Sequence, residues 1–97
     1  MTPHVRPMET IMHHHHARAL RIARRNYLFC RGVVARRIEE EQRIRSMYLA
    51  NAHNGAAVRS YYFAKVKSAV RSLELALVEL QNQLSVLMTV ERLLEKA

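Results

Sequence analysis

The sequence predicts an all-α protein, a long antiparallel helical hairpin with a coiled-coil-like seam. Three observations lead there. Only two Gly and two Pro occur among 97 residues that are 49% apolar, a balance that excludes a turn-rich sandwich or barrel and suits long uninterrupted helices. One Asn54-Gly55 dipeptide interrupts the chain near its middle, and Asn-Gly is a strong turn signal. Beyond it, apolar residues recur on alternating three- and four-residue steps almost to the C-terminus. A chain of this length makes at most one small domain, too short for a deep two-layer core.

Residues 1–16 read as a leader with little regular structure, because they hold both prolines, Pro3 and Pro7, and no periodic pattern. Helical periodicity begins near Ala17 and runs to about residue 50. Leu20, Ala23, Tyr27, Cys30, Val34 and Ile38 fall within about an 80° sector at 100° per residue. Arg18, Arg21, Arg25, Arg36 and Arg43 gather within about 60° on roughly the opposite side. Gly32 and Phe29 share that stripe, which predicts a bent or locally weak helix there.

Residues 51–55 form the turn, where Gly is suited to ending a helix in the left-handed region. A second helix follows over about residues 56–96, roughly 60 Å long. A short link between two long helices makes them antiparallel neighbours. In this second helix Phe63, Val66, Val70, Leu73, Leu77, Leu80, Leu84, Leu87 and Leu94 form a heptad seam, with Glu91 its only polar member. Leu75, Val78, Val86 and Leu93 lie off that seam, as do Met88 and Val90. One partner helix covers one stripe, so the remainder predicts either a broad core face in a small bundle or a self-assembly surface, with Leu75, Val78, Val86 and Leu93 as the assembly residues.

The charge is +8 and unevenly spread. Residues 1–50 carry ten Arg and four Glu, residues 51–97 six basic residues and four Glu, and Arg outnumbers Lys thirteen to three. A basic half with an Arg-lined stripe, where an ordinary solvated face would mix signs, predicts a polyanionic partner. Residues 17–37 hold seven Arg and no acid, a composition shared with organellar transit peptides. No stretch approaches the length of a spanning helix. The single cysteine, Cys30, allows no intrachain disulfide.

Catalysis has no candidate residues, so an enzyme is not expected, and neither is a cofactor. Consecutive helical residues fan out by about 100°, so His13–His16 cannot converge on one ion and read as a purification-tag remnant or solvated tract rather than a metal site. Cys30 lies on the apolar face and reads as a small core residue. His53 sits in the turn without a nucleophile or carboxylate motif around it. Tyr61, Tyr62 and Phe63 open the second helix and read as packing near the turn, with stacking on bases the competing use.

The run EEEQRIRS at 39–46, the NG turn at 54–55, FAK at 63–65 with Val70-Arg71, and QNQLSVL at 81–87 resemble the ESCRT-III proteins, the charged multivesicular body proteins and their archaeal cell-division relatives. The resemblance spans about residues 18–97, the helical-hairpin core of that family. It implies a basic first helix facing lipid and membrane remodelling by filaments. Family members usually continue into further helices and an acidic region that restrains assembly. Nothing of that kind follows Ala97, so the resemblance implies an assembly core without its brake, or a minimal or truncated relative.

The function expected is a membrane-associated polymerising scaffold, peripheral on a cytoplasmic membrane face, binding anionic lipid through Arg18, Arg21, Arg25, Arg36 and Arg43 and other copies of itself through the second helix. Nucleic acid is the alternative polyanion, in a nucleoid, viral-coat or ribonucleoprotein role. A small structural subunit of a larger complex is a third reading.

Overall fold

The computed structural model describes the backbone of residues 7–96 and the side chains of residues 14–96. It contains two helices, α1 (Pro7–Asn51) and α2 (Ala56–Lys96), packed side by side as an antiparallel hairpin. The Cα radius of gyration is 22.5 Å, where a compact chain of this size would have about 12–13 Å. The hairpin is a rod, and a rod of two helices has a line of contact instead of a core.

α1 starts ten residues before the expected boundary at Ala17. The expected leader is therefore helical from Pro7 onward, and residues 1–6 lie outside the described residues. Pro suits the first helical position, where its missing N–H had no partner to lose. Nothing in 8–16 breaks a helix, although no apolar periodicity announces one there. α1 also continues through Gly32 without interruption.

The turn is built by side-chain amides. Asn51 Nδ2 donates to the Met47 carbonyl at 2.8 Å and Asn54 Nδ2 donates to Asn51 Oδ1 at 2.9 Å. The Asn54 amide donates to the Asn51 carbonyl at 3.1 Å, which closes the end of α1 before the glycine is reached. Gly55, at φ 100°, therefore does not terminate α1 as expected. Its carbonyl accepts from the Arg59 amide at 3.0 Å, so it stands as the residue that admits α2.

α2 has the expected length but a rotated seam. The inward positions are Tyr62, Val66, Ala69, Leu73, Ala76, Leu80, Gln83, Leu87, Val90 and Leu94, all buried or half-buried. They keep the three- and four-residue steps, yet only Val66, Leu73, Leu80, Leu87 and Leu94 belong to the expected stripe. Phe63, Leu77 and Leu84 stand on the flank with Leu77 42% exposed, and Val70 is half-buried beside them. Val90, placed off the seam by the sequence, is on it. The physical reason is that the apolar surface of α2 is wider than one helix can cover. With Ala69 and Ala76 at the contact line the backbones approach closely, and the bulkier residues are displaced sideways.

The facing stripe of α1 is His16, Leu20, Ala23, Tyr27, Cys30 and Val34, followed after a gap by Glu41, Ile44, Tyr48 and Asn51. At the gap the seven-residue repeat falls on Arg37, which is exposed, and Ile38 lies on the flank. Among the described residues only Ala23, Val34, Val66, Ala69 and Leu87 are buried apolar side chains, and no large side chain is completely enclosed.

Candidate anion-binding surface

The continuous α1 helix sets the geometry of the outer face. Arg18, Arg21, Arg25 and Arg36 are exposed and lie on the side opposite Ala23 and Val34, while Arg43, also exposed, borders a cleft between the two helices. Among the described residues no carboxylate lies within ion-pair distance of any of these five.

Three arginines away from this face, Arg31, Arg37 and Arg45, are engaged within α1. Arg37 Nη1 donates to Glu40 Oε2 at 3.2 Å and Arg45 Nε donates to Glu41 Oε1 at 2.6 Å. Glu41 lies on the contact line with its side chain 13% exposed, so Arg45 satisfies a carboxylate that water hardly reaches. The Arg31 guanidinium stands 5.9 Å from the centre of the Tyr27 ring, within cation–π range. These three contacts all lie within α1.

The stripe is not purely cationic. Between Arg25 and Arg36, about 16 Å along the axis, no arginine occupies it. Leu28, Phe29 and Gly32 do, and Ile22 lies one heptad before Phe29. Leu28 is 59% and Phe29 67% exposed. Sequence reading placed Phe29 and Gly32 here but did not single out Ile22 or Leu28. The signal was their angular position among the arginines, about 20° for Leu28 from Arg21 and 40° for Ile22 from Arg18. Glu39 joins the face one heptad after Gly32 and is exposed.

A second basic region surrounds the turn. Tyr61 and Tyr62 meet edge to face at 5.2 Å, and Tyr48 contacts Phe63 at 5.9 Å between centroids. Lys65 Nζ lies 4.8 Å from the Tyr61 ring centre and Lys67 Nζ 5.3 Å from that of Phe63. The Tyr61 hydroxyl raises the Lys65 pKa above its ordinary value, chiefly by hydrogen bonding. Arg43 and Lys65, from different helices, share a cleft with Glu40, Tyr62 and Ser68. Phe63 is therefore not spent in the seam, as the sequence implied, but lies half out in solvent under a lysine.

The four expected assembly residues, Leu75, Val78, Val86 and Leu93, are all exposed, Leu75 by 63%. Val66, Val70, Glu74 and Val78 line a shallow groove along the outside of α2. Phe63, Leu77 and Leu84 extend the apolar surface on the same helix.

His14 and His15 are exposed and His16 faces the partner helix with its Nδ1 buried and without a hydrogen-bond partner among the described residues; the His13 side chain lies outside the described residues. No group of three His, Cys, Asp or Glu side chains converges among the described residues. No helix among them is long and apolar enough to cross a membrane. Comparisons with protein-family models, curated proteins and solved structures found no match to this chain.

Proposed function

We propose that this protein is an assembling helical hairpin that lies on an anionic membrane surface, held there by the arginine face of α1 and joined to further copies through α2, in the manner of the ESCRT-III proteins it resembles. The observation that carries this reading is the division of labour among the arginines. Arg31, Arg37 and Arg45 have intramolecular partners, whereas Arg18, Arg21, Arg25 and Arg36 project from one face, with Arg43 at its edge beside α2, and none of the five has a carboxylate partner among the described residues. Guanidinium groups in that arrangement complement a sheet of phosphates. Each basic residue close to an anionic leaflet contributes about 1 kcal/mol, and repetition along an assembly multiplies the attachment.

Support for assembly comes from α2. A helix that is apolar on its seam, its flank and its far side belongs in the interior of something larger than two helices. The groove bounded by Val70 and Val78 offers a place for a ridge of side chains from a neighbouring helix. Peripheral attachment on a cytoplasmic membrane face agrees with a basic surface and with the lack of a spanning helix among the described residues.

Tyr61 and Phe63, exposed beside Lys65 and Lys67, favour a second reading in which the polyanion is nucleic acid and the aromatics stack on bases. Co-sedimentation with phosphatidylserine-containing vesicles, run with and without an RNA or DNA duplex as competitor, separates the two. Vesicle binding that weakens with salt and persists beside duplex supports the membrane reading. Tight duplex binding with negligible vesicle binding replaces it with the second.

A further inference from the structure

From the apolar break in the arginine stripe we infer that α1 does not merely touch a bilayer but inserts Leu28 and Phe29, with Ile22 beside them, between lipid headgroups. This deepens the membrane reading and rests on it. Phe29 and Leu28 are among the most exposed large apolar side chains of α1. They lie off the contact with α2. Arg18, Arg21 and Arg25 stand on one side of them along the axis and Arg36 on the other, and no acid occurs from residue 17 to 37.

That pattern fits a lipid surface. Apolar side chains encircled by arginine match the headgroup–acyl boundary of an anionic bilayer, where rings and aliphatic groups enter the hydrocarbon edge and guanidinium groups reach back to phosphate. A nucleic acid would use Phe29 for stacking but offers nothing to Leu28 and Ile22. A second copy's α2, with Glu74, Glu79, Glu91 and Glu95 exposed beside Leu75, Val78 and Val86, is the competing occupant. A blue-shifted emission from Phe29→Trp in the absence of vesicles would assign the patch to it and overturn insertion. Gly32 completes the patch. A Cβ there would meet only the tip of Arg36, at 3.9 Å, so bare backbone lies level with the two large side chains and lets the helix settle deeper.

The chain contains no Trp, which makes insertion directly readable. Phe29→Trp places a single fluorophore in the patch, and Asn82→Trp places one on the exposed outer side of α2. With phosphatidylserine–phosphatidylcholine vesicles, the Phe29→Trp emission shifts to the blue and is quenched by lipids brominated on the acyl chain, while that of Asn82→Trp does neither. Leu28→Ser combined with Phe29→Ser lowers partitioning about tenfold or more at physiological salt and leaves the circular dichroism spectrum unchanged. Co-sedimentation of Phe29→Trp with a water-like, unquenched emission overturns insertion and spares surface adhesion. Equal quenching of both fluorophores overturns the assignment to this face. Failure of the wild-type chain to bind the vesicles at all removes insertion and the membrane reading together.

Discussion

Gly32 and Gly55 are the two places where the backbone carries no side chain, and their surroundings call for opposite outcomes on substitution. Gly32 sits inside α1 with open space around it, so Gly32→Ala removes backbone freedom from the unfolded chain and raises stability by about 0.5–1 kcal/mol. Gly55 holds φ 100°, a conformation in which a Cβ collides with the backbone, and Gly55→Ala lowers stability by about 1–2 kcal/mol. Thermal melting followed by circular dichroism measures both, and a rise in melting temperature for Gly55→Ala would contradict the turn geometry. At this scale the turn residues were legible from the Asn-Gly dipeptide. The assignment of roles was not, because Asn51 and Asn54 close α1 through side-chain amides, and dipeptide statistics do not show which of several amide-bearing residues does so. The partly buried Glu41 was also hidden, since its pairing with Arg45 depends on which stripe faces α2.

Along the elements, the seam of α2 provides the sharpest test of the packing. The structure separates two leucines that the sequence treats alike. Leu80 and Leu87 face α1, and an aspartate at either position places a charge with no partner on the contact line, costing about 3 kcal/mol or more. Leu77 and Leu84 lie on the flank, where an aspartate reaches water and costs about 1 kcal/mol or less in the isolated hairpin. Urea titrations of Leu80→Asp and Leu77→Asp at low protein concentration measure the difference, and equal destabilisation would restore the seam expected from periodicity. That expectation was half right for a physical reason. The three- and four-residue steps fix a stripe only when one apolar stripe exists, and α2 has enough apolar surface for two. The choice between them is made by Ala69 and Ala76, whose small size admits close approach, and a pattern scored on hydrophobicity alone passes over them. The beginning of α1 was missed in a similar way. Residues 7–16 carry no apolar periodicity, and a helix can continue for a few turns beyond the stripe that marks it in the sequence.

For the whole molecule, the shortage of buried side chains and the surplus of exposed ones point to the same behaviour. A rod with five buried apolar residues among those described is marginal alone, so its stability should depend on concentration, with the melting temperature rising as copies associate. Leu75→Glu with Val86→Glu should abolish that dependence and leave the dilute chain helical, because neither residue contacts α1 across the seam. Light scattering reads the association and circular dichroism the helix. A wild-type chain that melts at one temperature across a hundredfold range of concentration, with or without anionic vesicles, would contradict assembly. The helical hairpin was legible from breaker count and periodicity; the two-part character of the outer face was not, because Leu28 and Ile22 acquire meaning only once the stripe opposite the seam is known to be exposed along its whole length.

The central claim is that the outward arginines bind a membrane while Arg31, Arg37 and Arg45 are engaged within α1, and co-sedimentation of two triple variants with phosphatidylserine vesicles tests it most directly. Changing Arg18, Arg21 and Arg25 to Glu leaves the melting temperature near that of wild type, since these side chains make no contact with carboxylates among the described residues. It removes most vesicle binding, because three attractions become repulsions within about a Debye length of the leaflet. Changing Arg31, Arg37 and Arg45 to Glu, an equal change of charge, takes away the ring contact with Tyr27 and the partners of Glu40 and Glu41. That variant melts earlier and, at a temperature where it remains folded, retains most of its binding. Loss of binding to the same extent in both folded variants would reduce the stripe to generic positive charge and contradict the account.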